Sequence, residues 1–125
     1  MMPSLLLVMA GGAVGSGARY LVGRVMLSLL GPGWPWGTLA VNLIGGFAMG
    51  LVAGTLARHG SGGEQWRLLL AVGVLGGFTT FSAFSLETVN MVQRGDVASA
   101  LLYVAVSVLG ATLALAGGLF AVRAA

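Results

Sequence analysis

The chain has 125 residues and a formal net charge of +3, with 58% hydrophobic and only 7% charged residues, 22 glycines, no cysteine and a mean hydropathy of +1.00. A soluble domain ordinarily carries about a quarter charged residues, so the composition excludes a water-solvated globule and points to lipid as the solvent. The absence of cysteine excludes disulfides and thiolate metal sites, and the arginines are scattered without a basic patch or a nucleic-acid motif, which excludes a nucleic-acid partner.

Four apolar segments, at 3–30, 38–57, 68–92 and 97–122, are each near or above the roughly 20 residues that a helix needs to cross hydrocarbon. They predict an all-α membrane protein with four transmembrane helices in one domain. The first segment has no basic leader-type start, continues well beyond a short apolar run and carries Arg19 and Arg24 inside it, so it reads as a membrane helix rather than a cleaved signal peptide. Its motif GGAVGSGARY, residues 11–20, sets Gly11 and Gly15 on a small-residue face where another helix can approach. Arg19 lies near the middle of this span and cannot cheaply face lipid or lose its proton; it calls for a polar vestibule, a carboxylate or helix-end carbonyls.

The link GPGWPWG, residues 31–37, ends the first helix and offers Trp34 and Trp36 to the headgroup level, as Trp66 does in the next link. The second span opens with GTLAVNLIGGFAMG. Thr38 and Asn42 lie four residues apart on one face, where they either line a narrow aqueous track and donate to an anion or bridge helices. Gly46 and Gly50 continue the stripe and fit equally a pore-lining helix or a tight interface.

The third span contains GVLGGFTTFSAFSLE, residues 73–87. Gly76 and Gly77 lower the cost of leaving the regular helix, and Thr79, Thr80 and Ser82 can bond backbone groups freed by a break. Carbonyls at such a break, buried in protein, suit a small cation. Phe81 and Phe84, three residues apart, can present electropositive ring edges to a small dehydrated anion, or can simply pack. Glu87, two turns beyond Thr80, is expected to pair with an arginine or to guard an entrance. In the fourth span, LLYVAVSVLGAT sets Tyr103, Ser107 and Ala111 at intervals of four, so that two hydroxyls face one track.

An even number of spans returns both termini to one side, which receives Arg58, Arg67 and Arg123; the other side receives Arg94 and Arg24. So small a bias does not fix an orientation, and it predicts insertion both ways with pairing of antiparallel copies about a twofold axis in the membrane plane. No hydrolase, zinc-protease, EF-hand or phosphate-loop motif is present, and His59 and Glu64 have no catalytic spacing, so the chain does not read as an enzyme.

Taken in order, GGAVGSGARY, GTLAVNLIGGFAMG and GGFTTFSAFSLE resemble the CrcB family, the small bacterial fluoride channels also called Fluc, over essentially the whole chain. The resemblance implies an antiparallel, dual-topology homodimer in the bacterial inner membrane, with two pathways that passively export cytoplasmic fluoride. It puts the pore asparagine at Asn42, aromatic anion contacts at Phe81 and Phe84, and a polar track at Tyr103 and Ser107; from the residues themselves, Thr38 and Thr80 are expected on the same pathway. It also implies a structural Na+ held by main-chain oxygens of Gly76 and Thr79 from both subunits. Ala111 stands where family members often have serine, with Thr112 just beyond. A proton-coupled transporter using Glu87 and Tyr103 and a purely structural membrane protein are the competing classes.

Overall fold

The computed structural model describes residues 2–60 and 63–125; Met1 and the pair Ser61 and Gly62 of the second link lie outside the described residues. Every regular element among the described residues is helical: α1 (Met2–Leu30), α2 (Trp36–His59), α3 (residues 64–78), α4 (Phe81–Gln93) and α5 (Val97–Ala124). Together α3 and α4 form one interrupted span, so four helical spans are long and apolar enough to cross a membrane. Helices are the expected choice in lipid, because each satisfies its own backbone polar groups along the segment. The first and third links are tight. Gly31 closes α1 with a positive φ of 78° while its N–H donates to Leu27 O at 2.9 Å, and Gly95, φ 89°, turns the chain from α4 to α5.

Glycine sets the spacing between helices. Gly11 of α1 lies against Gly73 of α3, where an added methyl at Gly11 would come within 2.5 Å of Leu69 O and 2.9 Å of the Gly73 Cα; a methyl at Gly15 would run into Val74 O. The second glycine stripe belongs to the seam between α2 and α5. A methyl at Gly46 would lie 2.8 Å from Ala111 O, and one at Gly50 would strike Leu115 O. The two helical pairs therefore meet almost backbone to backbone, which lets dispersion and weak polar contacts work where apolar side chains gain nothing over lipid.

From Arg67 to Leu75, α3 is wound wider than an ordinary α-helix, closing on bonds that reach five residues back; the Gly76 N–H, at the end of this run, donates to Ala71 O. Nothing in the local sequence announces that widening. A core cluster of Leu39, Phe84, Met91, Ala100 and Tyr103 lies where α2, α4 and α5 converge. Trp34 and Trp36, expected at the headgroup level, pack against this cluster, with the Trp34 ring 5.0 Å from Trp36 and 5.3 Å edge-on from Tyr103. At the other end, Arg67 pairs with Glu64 one turn away and Arg58 Nη1 donates to Val122 O at 2.8 Å.

Candidate functional site

The third span breaks at Thr79 and Thr80, both in extended backbone conformation (ψ 158° and 122°). An uninterrupted helix would run the Thr80 N–H to Gly76 O and the Ala83 N–H to Thr79 O. Both bonds go elsewhere. The Thr80 N–H donates to Asn42 Oδ1 at 2.9 Å, and the Ala83 N–H donates to Thr80 Oγ1 at 3.2 Å, an N-cap that restarts the helix as α4. Asn42 Nδ2 completes a ring by donating to Thr80 O at 3.0 Å, so its side-chain amide pairs with the Thr80 backbone as a neighbouring strand would. This is possible because Gly45, one turn along α2, is buried against Thr79 with no room for a side chain.

Two further groups at the break are tied as well. Thr79 Oγ1 donates to Leu75 O at 2.9 Å, and Arg19 Nε donates to Gly77 O at 3.1 Å. Of the three partners expected for Arg19, the structure provides helix-end carbonyl oxygen. Ser85 and Thr88 return their hydroxyls to carbonyls one turn back, at Phe81 and Phe84. The hydroxyl-rich sequence around the break thus serves backbone groups first.

Beside the break lies a groove of about 430 Å³ lined by Asn42, Thr80, Phe81, Phe84, Ser107 and Ala111, among others. Its lining has no ionisable side chain among the described residues. The lining also holds donors that no protein acceptor uses. Asn42 keeps one N–H of its amide, since an amide nitrogen has two and only one is spent on Thr80. Ser107 Oγ is buried and unbonded, an uncommon state for a hydroxyl and one that a ligand or water relieves. The Phe81 and Phe84 rings stand 5.5 Å apart and tilted at 48°, but they differ in setting: Phe84 is 8% exposed and Phe81 is 77% exposed.

Thr38, Glu87 and Tyr103 form a second group. Glu87 accepts from Thr38 Oγ1 at 2.9 Å through one carboxylate oxygen and from the Tyr103 hydroxyl at 2.8 Å through the other. Its partners are thus hydroxyls on α2 and α5, and Arg19, tied to Gly77, is not among them. The Tyr103 ring, 0% exposed, lies 5.1 Å from Phe84, so aromatic contact connects this group to the groove. On the side of the links, a cavity of about 360 Å³ includes Trp34, Trp36, Thr38, Glu87, Asn90 and Arg94 in its lining. Thr38 and Tyr103, expected beside Asn42 on one track, have their protons committed to Glu87, whereas Asn42, Thr80, Phe81, Phe84 and Ser107 share the groove.

Among the described residues no group of three or more His, Asp or Glu side chains is arranged to hold a metal ion. Oxygen ligands for a cation are available instead from the main chain at the break. Gly76 O and Thr79 O have both lost their helical N–H donors to side-chain oxygens, and hard, neutral carbonyl oxygens suit a monovalent cation such as Na+.

Residues 6–119 match the family model described as CrcB-like protein, Camphor Resistance (CrcB). The chain is similar to a fluoride-specific ion channel FluC of Sphingopyxis alaskensis, 57% identical over 122 residues that cover 98% of this chain and 97% of the relative. It is likewise 57% identical over 123 residues to the fluoride-specific ion channel FluC of Caulobacter vibrioides, and 58% identical over 123 residues to that of Phenylobacterium zucineum, each covering 98% of this chain and 97% of the relative.

Proposed function

This chain belongs to the CrcB family of membrane proteins, and from that premise we propose that it is a fluoride-selective channel of the bacterial inner membrane that lets cytoplasmic fluoride leave down its electrochemical gradient. The observation that carries the reading is the groove at the helix break, where Asn42 and Ser107 hold unspent donors beside two phenylalanine rings and no fixed charge. Fluoride is small and strongly hydrated. Passage requires donors and ring edges that replace water without binding the ion too tightly to leave, and a lysine or arginine in the groove would bind it so. Chloride, being larger, is excluded by fit. Thr80 contributes to the same wall, and Thr38 and Tyr103 extend the track with hydroxyls that Glu87 orients while fluoride is absent. Arg19 serves the break as a structural cation.

The functional unit is an antiparallel homodimer with two pathways. Its support lies in the open side of the break, where Gly76, Phe81 and Ser82 are exposed on the single chain, as a surface that meets a second copy requires. At that meeting place Na+ has a structural role, held by main-chain oxygens of Gly76 and Thr79 from each subunit and offsetting the negative charge of ions in the flanking pathways. If the copies insert in opposite senses, labelling of one terminus from both sides of the membrane will find it on each side, and several lysines added to that terminus will trap one orientation. A terminus found on a single side in the parent protein would overturn the antiparallel pairing.

The direct test is fluoride efflux from liposomes that contain the purified protein, read with an ion-selective electrode, with a potassium ionophore compensating charge. Fluoride is expected to leave rapidly, chloride in matched liposomes to stay, and an imposed proton gradient to have no power to drive fluoride uphill. Uphill movement would identify a proton-coupled transporter, and an absence of efflux from assembled protein would leave a structural membrane protein.

A further inference from the structure

The hydrogen bonds around the break assign Asn42 a second task. The same Thr80 N–H that Asn42 Oδ1 receives at 2.9 Å is the donor that Gly76 O would otherwise have, four residues back along a continuous helix. We infer that Asn42 is a positioning residue for the central cation: by holding the Thr80 N–H, it keeps the Gly76 carbonyl free to bind Na+. This inference rests on the sodium reading above.

Three features make the arrangement specific. Asn42 grips both polar groups of one residue, the Thr80 N–H and, through Nδ2 at 3.0 Å, Thr80 O, so Thr80 is held in the extended conformation that interrupts the ladder (φ −151°, ψ 122°). Gly45 lies against Thr79 and fixes the distance between α2 and the break. Arg19 Nε engages Gly77 O, the neighbouring carbonyl, so that one oxygen of the helix end has a guanidinium donor while the adjacent one is left without a donor. Removing the amide acceptor at position 42 gives Thr80 a reason to close on Gly76 O, because a buried N–H without a partner is costly. The carbonyl would then be shared between the helix and the ion. A residue of the anion groove and the cation site are therefore linked through a single backbone amide.

The test reads cation binding without using flux. Tryptophan fluorescence of purified dimers follows Tm as Na+ replaces N-methylglucamine at constant ionic strength. In the parent protein Tm should rise and saturate with Na+, as for any ligand that binds only the folded state. Asn42→Ala, and Asn42→Leu, which fills the space without an acceptor, should raise the half-saturating Na+ concentration about tenfold, the scale of one lost hydrogen bond. Asn42→Asp retains an oxygen acceptor for the Thr80 N–H and should keep its midpoint within about threefold of the parent or below it, by the same hydrogen-bond scale. A variant that is merely less stable would melt lower at every Na+ concentration without moving the midpoint. Parent-like midpoints in the Ala and Leu variants would overturn the inference while leaving the sodium reading intact. A parent protein whose melting ignores Na+ would remove the sodium reading and the inference together.

Discussion

Asn42→Asp is expected to lower fluoride efflux about a thousandfold while the dimer stays assembled, because a fixed negative charge some 4 Å from a passing anion opposes it by about 4 kcal/mol at the effective dielectric of a partly hydrated protein. The substitution changes little in shape. The Oδ1 acceptor for the Thr80 N–H remains, but the amide N–H that faces Thr80 O is replaced by an oxygen, and the unspent N–H offered to the groove is lost. Both losses act against fluoride, the first by loosening the wall and the second by replacing a donor with a repelling charge. Efflux of the assembled Asn42→Asp dimer, compared with parent protein at equal reconstitution density, is the measurement. A loss of less than about tenfold would mean that the ion feels little of that charge, and would take Asn42 out of the conduction path.

Much of this site is legible in the sequence, for a physical reason. In a chain with so few polar residues inside its spans, each one has to be satisfied by something, and short-range spacing shows which ones act together. The break after Phe78 is readable because two glycines stand just ahead of a run of hydroxyls that suits an interrupted helix. Arg19 points to helix-end carbonyls for similar reasons, and Gly77 O provides one. Pairings between spans are harder to read. Thr38 and Asn42 are four residues apart on α2, Thr80 at the N-cap of α4 and Glu87 seven apart along that helix, and the helices run antiparallel, so that 38 meets 87 and 42 meets 80. That register was available as a signal, yet an arginine is a more obvious partner for a carboxylate than two hydroxyls are. The committed state of the Thr38 and Tyr103 protons follows from those pairings and is invisible to the spacing along any one helix. The wide winding of α3 between Arg67 and Leu75 has no marker in its residue types.

The second large effect belongs to packing. Gly15→Val should prevent stable assembly, whereas Gly17→Ala, two residues along the same helix, should be tolerated. A Cβ at Gly15 meets Val74 O and stands 2.9 Å from the Phe78 N, both backbone atoms that have no rotamer by which to yield; a Cβ at Gly17 meets nothing within 4 Å. Even one methyl therefore separates α1 from α3, and overpacking of this kind ordinarily costs about 1–3 kcal/mol before a branched side chain adds to it. Folded domains keep only about 5–15 kcal/mol in reserve, so a clash along a whole helix seam reaches a large share of it. The position of the clash matters as much as its size. Phe78 ends α3 immediately before Thr79, and the Arg19 contact with Gly77 O crosses the same interface, so displacing α1 removes the tie on the helix end from which the break is built. The fraction of dimer on size-exclusion chromatography, with Na+ present, separates the two outcomes: loss at position 15 with retention at 17 assigns the small-residue requirement to the α1–α3 seam. Equal loss at both would move it to a surface of α1 that faces a second copy or lipid.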